Sequence, residues 1–217
     1  MLLDAGPEIA VASTKAYTAQ VALQAVLAKA LGEKLGNQEA KDWNLKHDLA
    51  IAAEGIQQIV DGKEKIKELA DKYLVKSRNA FYIGRGIDHA VALEGALKLK
   101  EVSYIQTEGF AAAELKHGTI SLIEKDTPVI ALINDPVTAD LTRGNIQEVV
   151  SRGASIITIV GKEFANSDDT IVLPEINYYM SALLTVVPTQ LLAYYASKDK
   201  GLDVDKPRNL AKSVTVE

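Results

Sequence analysis

Short, almost purely apolar runs, spaced apart by stretches with helical patterning, restrict the fold of this chain more than any other feature. Ala80-Phe81-Tyr82-Ile83 ends in Gly84-Arg85-Gly86, and a helical pattern follows from about Asp88 to Tyr104. Pro128 to Ile133, Ser155 to Val160 and Thr170 to Leu173 repeat the theme, with a helical stretch near Ala139 to Arg152 between the first two. A strand that alternates apolar and polar residues has one wet face, whereas a continuously apolar strand is covered on both. Such strands alternating with helices predict an α/β fold, a three-layer sandwich whose parallel sheet is flanked by helices. A last helix over about Tyr179 to Lys198 precedes the tail DVDKPRNLAKSVTVE.

The first 75 residues read differently. TKAYTAQVALQAVLAKALGEK, residues 14–34, starts with Ser13 or Thr14 as its N-cap and continues with little polarity, which predicts a buried helix. Residues 42–73 carry apolar positions at Leu49, Ala52, Ile56, Ile59, Ile66 and Leu69 with charges between them, interrupted at Val60-Asp61-Gly62-Lys63. The expected organisation is a helical arm over 1–75 followed by a sheet domain over 76–217.

Composition closes off several classes of function. A net charge of -5 is a poor match for a nucleic-acid surface, where lysine and arginine neutralise phosphates. No uninterrupted apolar run approaches the roughly 18 residues of a membrane helix, and MLLDAGPEIAVASTK lacks the build of a signal peptide, so a cytoplasmic location is expected. With no cysteine there is no thiol nucleophile and no thiolate metal site, and the three histidines lack helical ligand spacing, so no metal is expected. Carboxylates, lysines, histidines and hydroxyls must carry any chemistry.

Three charges stand out on the mostly apolar helix after the first strand. Glu94, Lys98 and Glu101 are spaced i, i+4 and i+7, so they share one face. They form either a solvated ion-pair ladder or a group of acid, base and electrophile lining a cleft, and the scarcity of other polar positions on this helix weighs toward the cleft. His117, at the end of the short segment Glu114-Leu115-Lys116, has the chemistry of a proton shuttle, although a lone histidine is more often structural. Gly84-Arg85-Gly86 between strand and helix is a weak signal for an anion cradle, and Asn134-Asp135-Pro136 after the next strand adds negative charge there. The tail is well supplied with hydrogen-bonding groups, unlike a disordered end, and offers Lys212 as an amine that either enters a cleft or points to water.

Taken together, ALEGALKLKEVSYIQTEGFAAAELKHGTISLI, EIAVASTKAYTAQ and DVDKPRNLAKSVTVE resemble the isomerase half of the glutamine-dependent glucosamine-6-phosphate synthases, the isomerising glutamine:fructose-6-phosphate aminotransferases. The resemblance covers essentially the whole chain and implies the end of such an enzyme: helices leading out of a first sugar isomerase (SIS) domain, then a second SIS domain. It implies conversion of fructose 6-phosphate and glutamine-derived ammonia to glucosamine 6-phosphate, with no cofactor, in a homodimer. Glu101 matches the base that moves a proton between C1 and C2, with Lys98 beside it. Lys212 matches the tail lysine that contacts the open-chain sugar and forms an imine with its carbonyl. His117 matches the histidine of ring opening, supplied to the neighbouring subunit's site. Val11 and Ala211 match residues whose backbone helps seat the sugar.

In that family the glutaminase and the Ser/Thr-rich phosphate loops of the first SIS domain lie outside what this chain resembles. The expectation is therefore weak sugar-phosphate affinity and negligible activity for the chain by itself. Two other readings are a non-catalytic SIS module that binds a ligand or partner, and a related amino-sugar phosphate isomerase or deglycase. The joint presence of Glu101, His117 and Lys212 argues against the first and AKSVTVE against the second.

Overall fold

The computed structural model describes residues 3–212. Four helices come first: α1 (Lys15–Lys34), α2 (Gln38–Asp42), α3 (Leu45–Asp61) and α4 (Lys63–Tyr73). The sheet segment then runs β1 (Asn79–Gly84), α5 (Ile87–Ser103), β2 (Gln106–Ala111), β3 (Pro128–Ile133), α6 (Ala139–Val150), β4 (Ser155–Gly161), β5 (Ile171–Leu173) and α7 (Ser181–Asp199). The sheet order is β2-β1-β3-β4-β5, and every pairing is parallel.

Alternation along each strand sends side chains to two separate cores. Ala80 and Tyr82 of β1, Ile130 and Leu132 of β3, and Ile157 and Ile159 of β4 pack with α4, α5 and α7. Phe81 and Ile83 of β1, with Val129, Ala131 and Ile133 of β3, pack with α6 and the segment containing Ala112, Leu115 and Ile123. Coverage of both faces explains why β1 and β3 are apolar without a break. Helix α7 is the centrepiece of the first core, with fourteen buried residues, among them Leu184, Val186, Leu192 and Ala196.

Two expectations need correction. Helix α1 is not buried: none of its residues is, and Leu27 and Leu31 are 52% and 59% exposed. It lies over α2, α3 and α7 on one side only, so among the described residues nothing covers its other apolar side. The second correction is β2, a strand the apolar pattern does not reveal. As an edge strand it exposes Gln106 and Glu108 and buries Thr107, so it has no need of a continuous apolar run. Gly109 is required there, because a Cβ would stand 2.9 Å from the Ala92 carbonyl oxygen and 3.0 Å from the Leu93 Cα on α5.

The order reverses between β1 and β3, and in open α/β sheets the carboxyl edge at such a reversal is the usual ligand crevice. Here it is filled from within. Asp88, in the first turn of α5, is 2% exposed and accepts hydrogen bonds from the Asn134 backbone N–H at 2.7 Å and its Nδ2 at 2.9 Å. Burial pushes this carboxyl up to about 6, against the pull of the Asn134 donors. Asp135 accepts from the Val137 N–H at 2.8 Å and from the Tyr178 hydroxyl at 3.1 Å. Gly86, at φ +55°, leaves room for it, since a Cβ would lie 2.3 Å from Asp135 Oδ2. Arg85 turns away to Asn145 Oδ1. An anion at Gly84-Arg85-Gly86 would meet carboxylates already holding the available backbone donors.

Candidate functional site

Helix α5 runs back along the sheet, so its last turn lies at the amino edge, opposite the Asp88 crevice. Packed between the sheet and α7, it has almost no free surface, and Lys98 is only 5% exposed as a result. A lysine so buried needs opposite charge within reach. The i−4 and i+3 spacing provides it: Lys98 Nζ stands 2.8 Å from Glu101 Oε2 and 3.5 Å from Glu94 Oε1. Of the two arrangements left open by the residues, the geometry is a partly buried triad. Burial raises the Glu94 carboxyl above the usual carboxylate range, Lys98 opposes that shift and Glu101 adds to it.

Lys98 lines a cavity of about 170 Å³ together with Ala12, Thr14, Gln190, Val204 and Asp205. Glu101 does not line it and reaches it through its 2.8 Å bond to Lys98. Thr14 and Gln190 also border an apolar cleft of about 670 Å³ between the start of α1 and helices α3 and α7. The smaller hollow is below the range of roughly 300–1,000 Å³ typical of ligand sites, so by itself it forms one wall of such a site.

Both ends of the chain converge on this edge. The Val11 N–H donates to the Asp205 carbonyl at 2.9 Å. The Arg208 N–H donates to the Tyr104 hydroxyl at 2.7 Å, and the Arg208 guanidinium lies 4.1 Å from the centre of that ring. Ser197 Oγ donates to the Val102 carbonyl at 2.8 Å, and Lys200 Nζ to the Ser103 carbonyl at 3.3 Å, where burial lowers the lysine's pKa. Tyr104, at φ +60°, ends α5 in the left-handed conformation.

Of the sequence-predicted residues, Lys98, Glu101 and Val11 are thus brought to one edge. Ala211 and Lys212 are exposed at the end of the described residues, and the closing Ser213–Glu217 lies outside them. Lys212 is tied to the edge electrostatically, because its charge acts on Glu8. His117 is elsewhere: it is exposed in the turn Leu115–His117 beyond the carboxyl end of β2. Asp88 and Glu101 are separated along α5 by about 20 Å at the rise of an α-helix, and His117 belongs to the Asp88 end.

Sequence reasoning missed Glu8. Thr14 holds the N-cap position of α1, but its side chain makes no capping bond. The Glu8 carboxylate does so instead, accepting from the Thr14 N–H at 3.2 Å and the Ala16 N–H at 3.1 Å. Burial pushes Glu8 up, but these backbone donors and the Lys212 charge outweigh it and hold the carboxyl low. No short-range pattern reveals a cap six residues upstream. Gln190 was missed too; its Nε2 is buried without a hydrogen-bond partner where the two hollows meet. Among the described residues no group of three or more His, Asp or Glu side chains is placed to hold a metal ion, and no helix is long and apolar enough to cross a membrane.

Comparison with known proteins agrees with this architecture. The glutamine–fructose-6-phosphate aminotransferase (isomerizing) of Lactiplantibacillus plantarum is 62% identical over 217 residues, all of this chain and 36% of the relative. The enzyme of the same name from Streptococcus agalactiae is also 62% identical, over the same shares. The chain therefore spans about a third of the length of these curated relatives and corresponds to their carboxyl-terminal part. Among solved structures, the C-terminal domain of glucosamine-fructose-6-phosphate aminotransferase from Francisella tularensis superimposes with a TM-score of 0.81 at 35% identity, over 93% of this chain and 58% of that one. A glucosamine-6-phosphate deaminase from Thermotoga maritima shares the fold at a TM-score of 0.72 and 22% identity, over 97% of this chain and 59% of that one. The profile of the SIS domain matches residues 73–197, and the chain belongs to the SIS domain family.

Proposed function

We propose that this chain is the carboxyl-terminal part of the isomerase unit of a glucosamine-6-phosphate synthase. That enzyme converts fructose 6-phosphate and glutamine-derived ammonia to glucosamine 6-phosphate by amination and ketose-to-aldose isomerisation. The observation that carries the reading is the Glu94–Lys98–Glu101 triad on α5, beside a hollow bordered by both chain ends, in a chain 62% identical along its whole length to enzymes of that name.

Glu101 is the base that takes a proton from C1 of the aminated ketose and returns it at C2. It is suited to this because it is only partly buried and its position is fixed by Lys98. Lys98 holds that carboxylate and faces the sugar from the hollow. Lys212 forms the imine with the open-chain carbonyl, which requires an unprotonated amine and hence the desolvation of a closed site. Backbone groups of Val11 and Ala211 seat the sugar. His117, far from Glu101 in its own subunit, opens the sugar ring in the partner's site, which makes the working unit a homodimer. The cell compartment is the cytoplasm, and the Asp88-filled crevice leaves phosphate binding to the remainder of the enzyme.

A chimera tests the proposal. In the Lactiplantibacillus plantarum enzyme, the matching carboxyl-terminal segment is replaced by this chain, and glucosamine 6-phosphate formation is measured. The expected result is an active chimera that loses at least about a hundredfold in turnover with Glu101→Gln or Lys212→Ala, in keeping with the effect of removing a general base or nucleophile. A folded chimera without activity, or one indifferent to Glu101→Gln, overturns the reading.

A further inference from the structure

A small cavity of about 110 Å³ lies at the carboxyl edge of β3, β4 and β5, away from the α5 triad, and nothing in the proposed chemistry uses it. At roughly 30 Å³ per water, it holds three or four solvent-sized occupants. Its polar lining consists largely of acceptors. Ser181, the first residue of α7, is 4% exposed, and its Oγ is buried with no hydrogen-bond partner. Asn134 is oriented by Asp88: its Nδ2 is committed to the Asp88 carboxylate, so its Oδ1 takes the other side, 3.3 Å from where a Cβ on Gly161 would stand. Tyr178 spends its proton on Asp135, leaving its hydroxyl oxygen as an acceptor. Glu163 and Glu175 stand at the mouth, where Lys162, 64% exposed, pairs with Glu175 at 3.3 Å.

The balance of charge points the same way. Asp88 and Asp135, both buried, lie just behind Asn134, and no cationic side chain is hydrogen-bonded to either. An orphaned hydroxyl, an amide oxygen locked outward and a negative background together form a cradle for a donor or a positive ion, and a poor place for an anion. The innermost oxygens are neutral and the nearest charged ones are at the mouth, whereas a divalent ion is bound through carboxylates in direct contact. We propose that this cavity binds a monovalent cation, potassium or ammonium, through Ser181 Oγ, Asn134 Oδ1 and the Tyr178 hydroxyl oxygen.

A ligand that binds only the folded chain raises its melting temperature in proportion to ln(1 + [L]/Kd). The chain is melted at constant ionic strength in potassium chloride, ammonium chloride and tetramethylammonium chloride, the last too bulky for the cavity, and thallium-205 NMR titration reports occupancy directly. The expected result is a melting temperature about 2 °C or more higher in potassium or ammonium than in tetramethylammonium. Ser181→Ala should remove that difference and weaken thallium binding at least about tenfold, while melting as the parent does in tetramethylammonium, because the lost hydroxyl has no protein partner. Equal melting in all three salts, meaning that water alone fills the cavity, overturns the proposal. So does a response to magnesium or calcium only, or an undiminished potassium effect in Ser181→Ala.

Discussion

Replacing Lys98 by methionine removes the only cation from a triad whose side chains are 6% (Lys98), 14% (Glu94) and 21% (Glu101) exposed. Exposed ion pairs contribute up to about 1 kcal/mol, while breaking a fully buried pair costs about 3–5 kcal/mol because a charge is stranded. The intermediate exposures, and the ability of a stranded carboxyl to escape by protonation, place the loss near 2 kcal/mol at pH 7.5. For a chain of this size that lowers the melting temperature by about 4–8 °C. The pH dependence is the sharper test. Glu94 is raised above 4.5 in the folded parent, and without Lys98 it rises further. A raised carboxyl favours the fold at low pH, and that contribution is lost as pH climbs through the folded-state value. The deficit of Lys98→Met should therefore be largest near pH 8 and shrink as pH falls toward 4.5, as followed by urea unfolding across that range. Adding Glu94→Gln to Lys98→Met should recover about half of the loss. A deficit below about 0.5 kcal/mol, or one that does not change with pH, would refute the view that burial of the triad sets its energetics.

Three further outcomes follow from other buried groups. Asp88 is raised from 3.8 to about 6, so its contribution to stability is complete below about 3.8 and lost by about pH 7. Urea titrations of Asp88→Asn and parent should show a difference that changes by about 2–3 kcal/mol between pH 4 and 7. Asp169 has the opposite sign: burial pushes it up, but Arg143, at 2.8 Å, and the Asn166 N–H outweigh that and hold it low. Arg143→Met should cost about 3 kcal/mol at pH 7, with the deficit fading as pH drops below about 4. Gly109→Ala forces β2 and α5 apart, and calorimetry should record a loss of about 2 kcal/mol.

How much of this was legible depended on how locally each feature is encoded. Strands β1, β3 and β4 are readable because coverage on both faces writes itself as an unbroken apolar run. The edge strand β2 is held by backbone pairing with β1 on one side only, so Gln106 and Glu108 conceal it. Helix α1 shows the limit of composition: apolarity records what a helix is built to meet, and its exposed leucines meet nothing among the described residues. At the candidate site the 94–98–101 spacing was visible because it is a property of one helix. Glu8 and Asp88 were not, since their partners lie six and forty-six residues away and only tertiary structure joins them.

The position of α7 has a consequence for how the protein comes into being. It is the last helix in the chain, yet it is the layer on which α3, α4 and α5 all rest. During synthesis, the faces of those helices stay bare to solvent and chaperones until about residue 199 has left the ribosome. A nascent chain stalled before then has its sheet segments made but half of its hydrophobic interior open, which makes that interval its period of greatest exposure to aggregation.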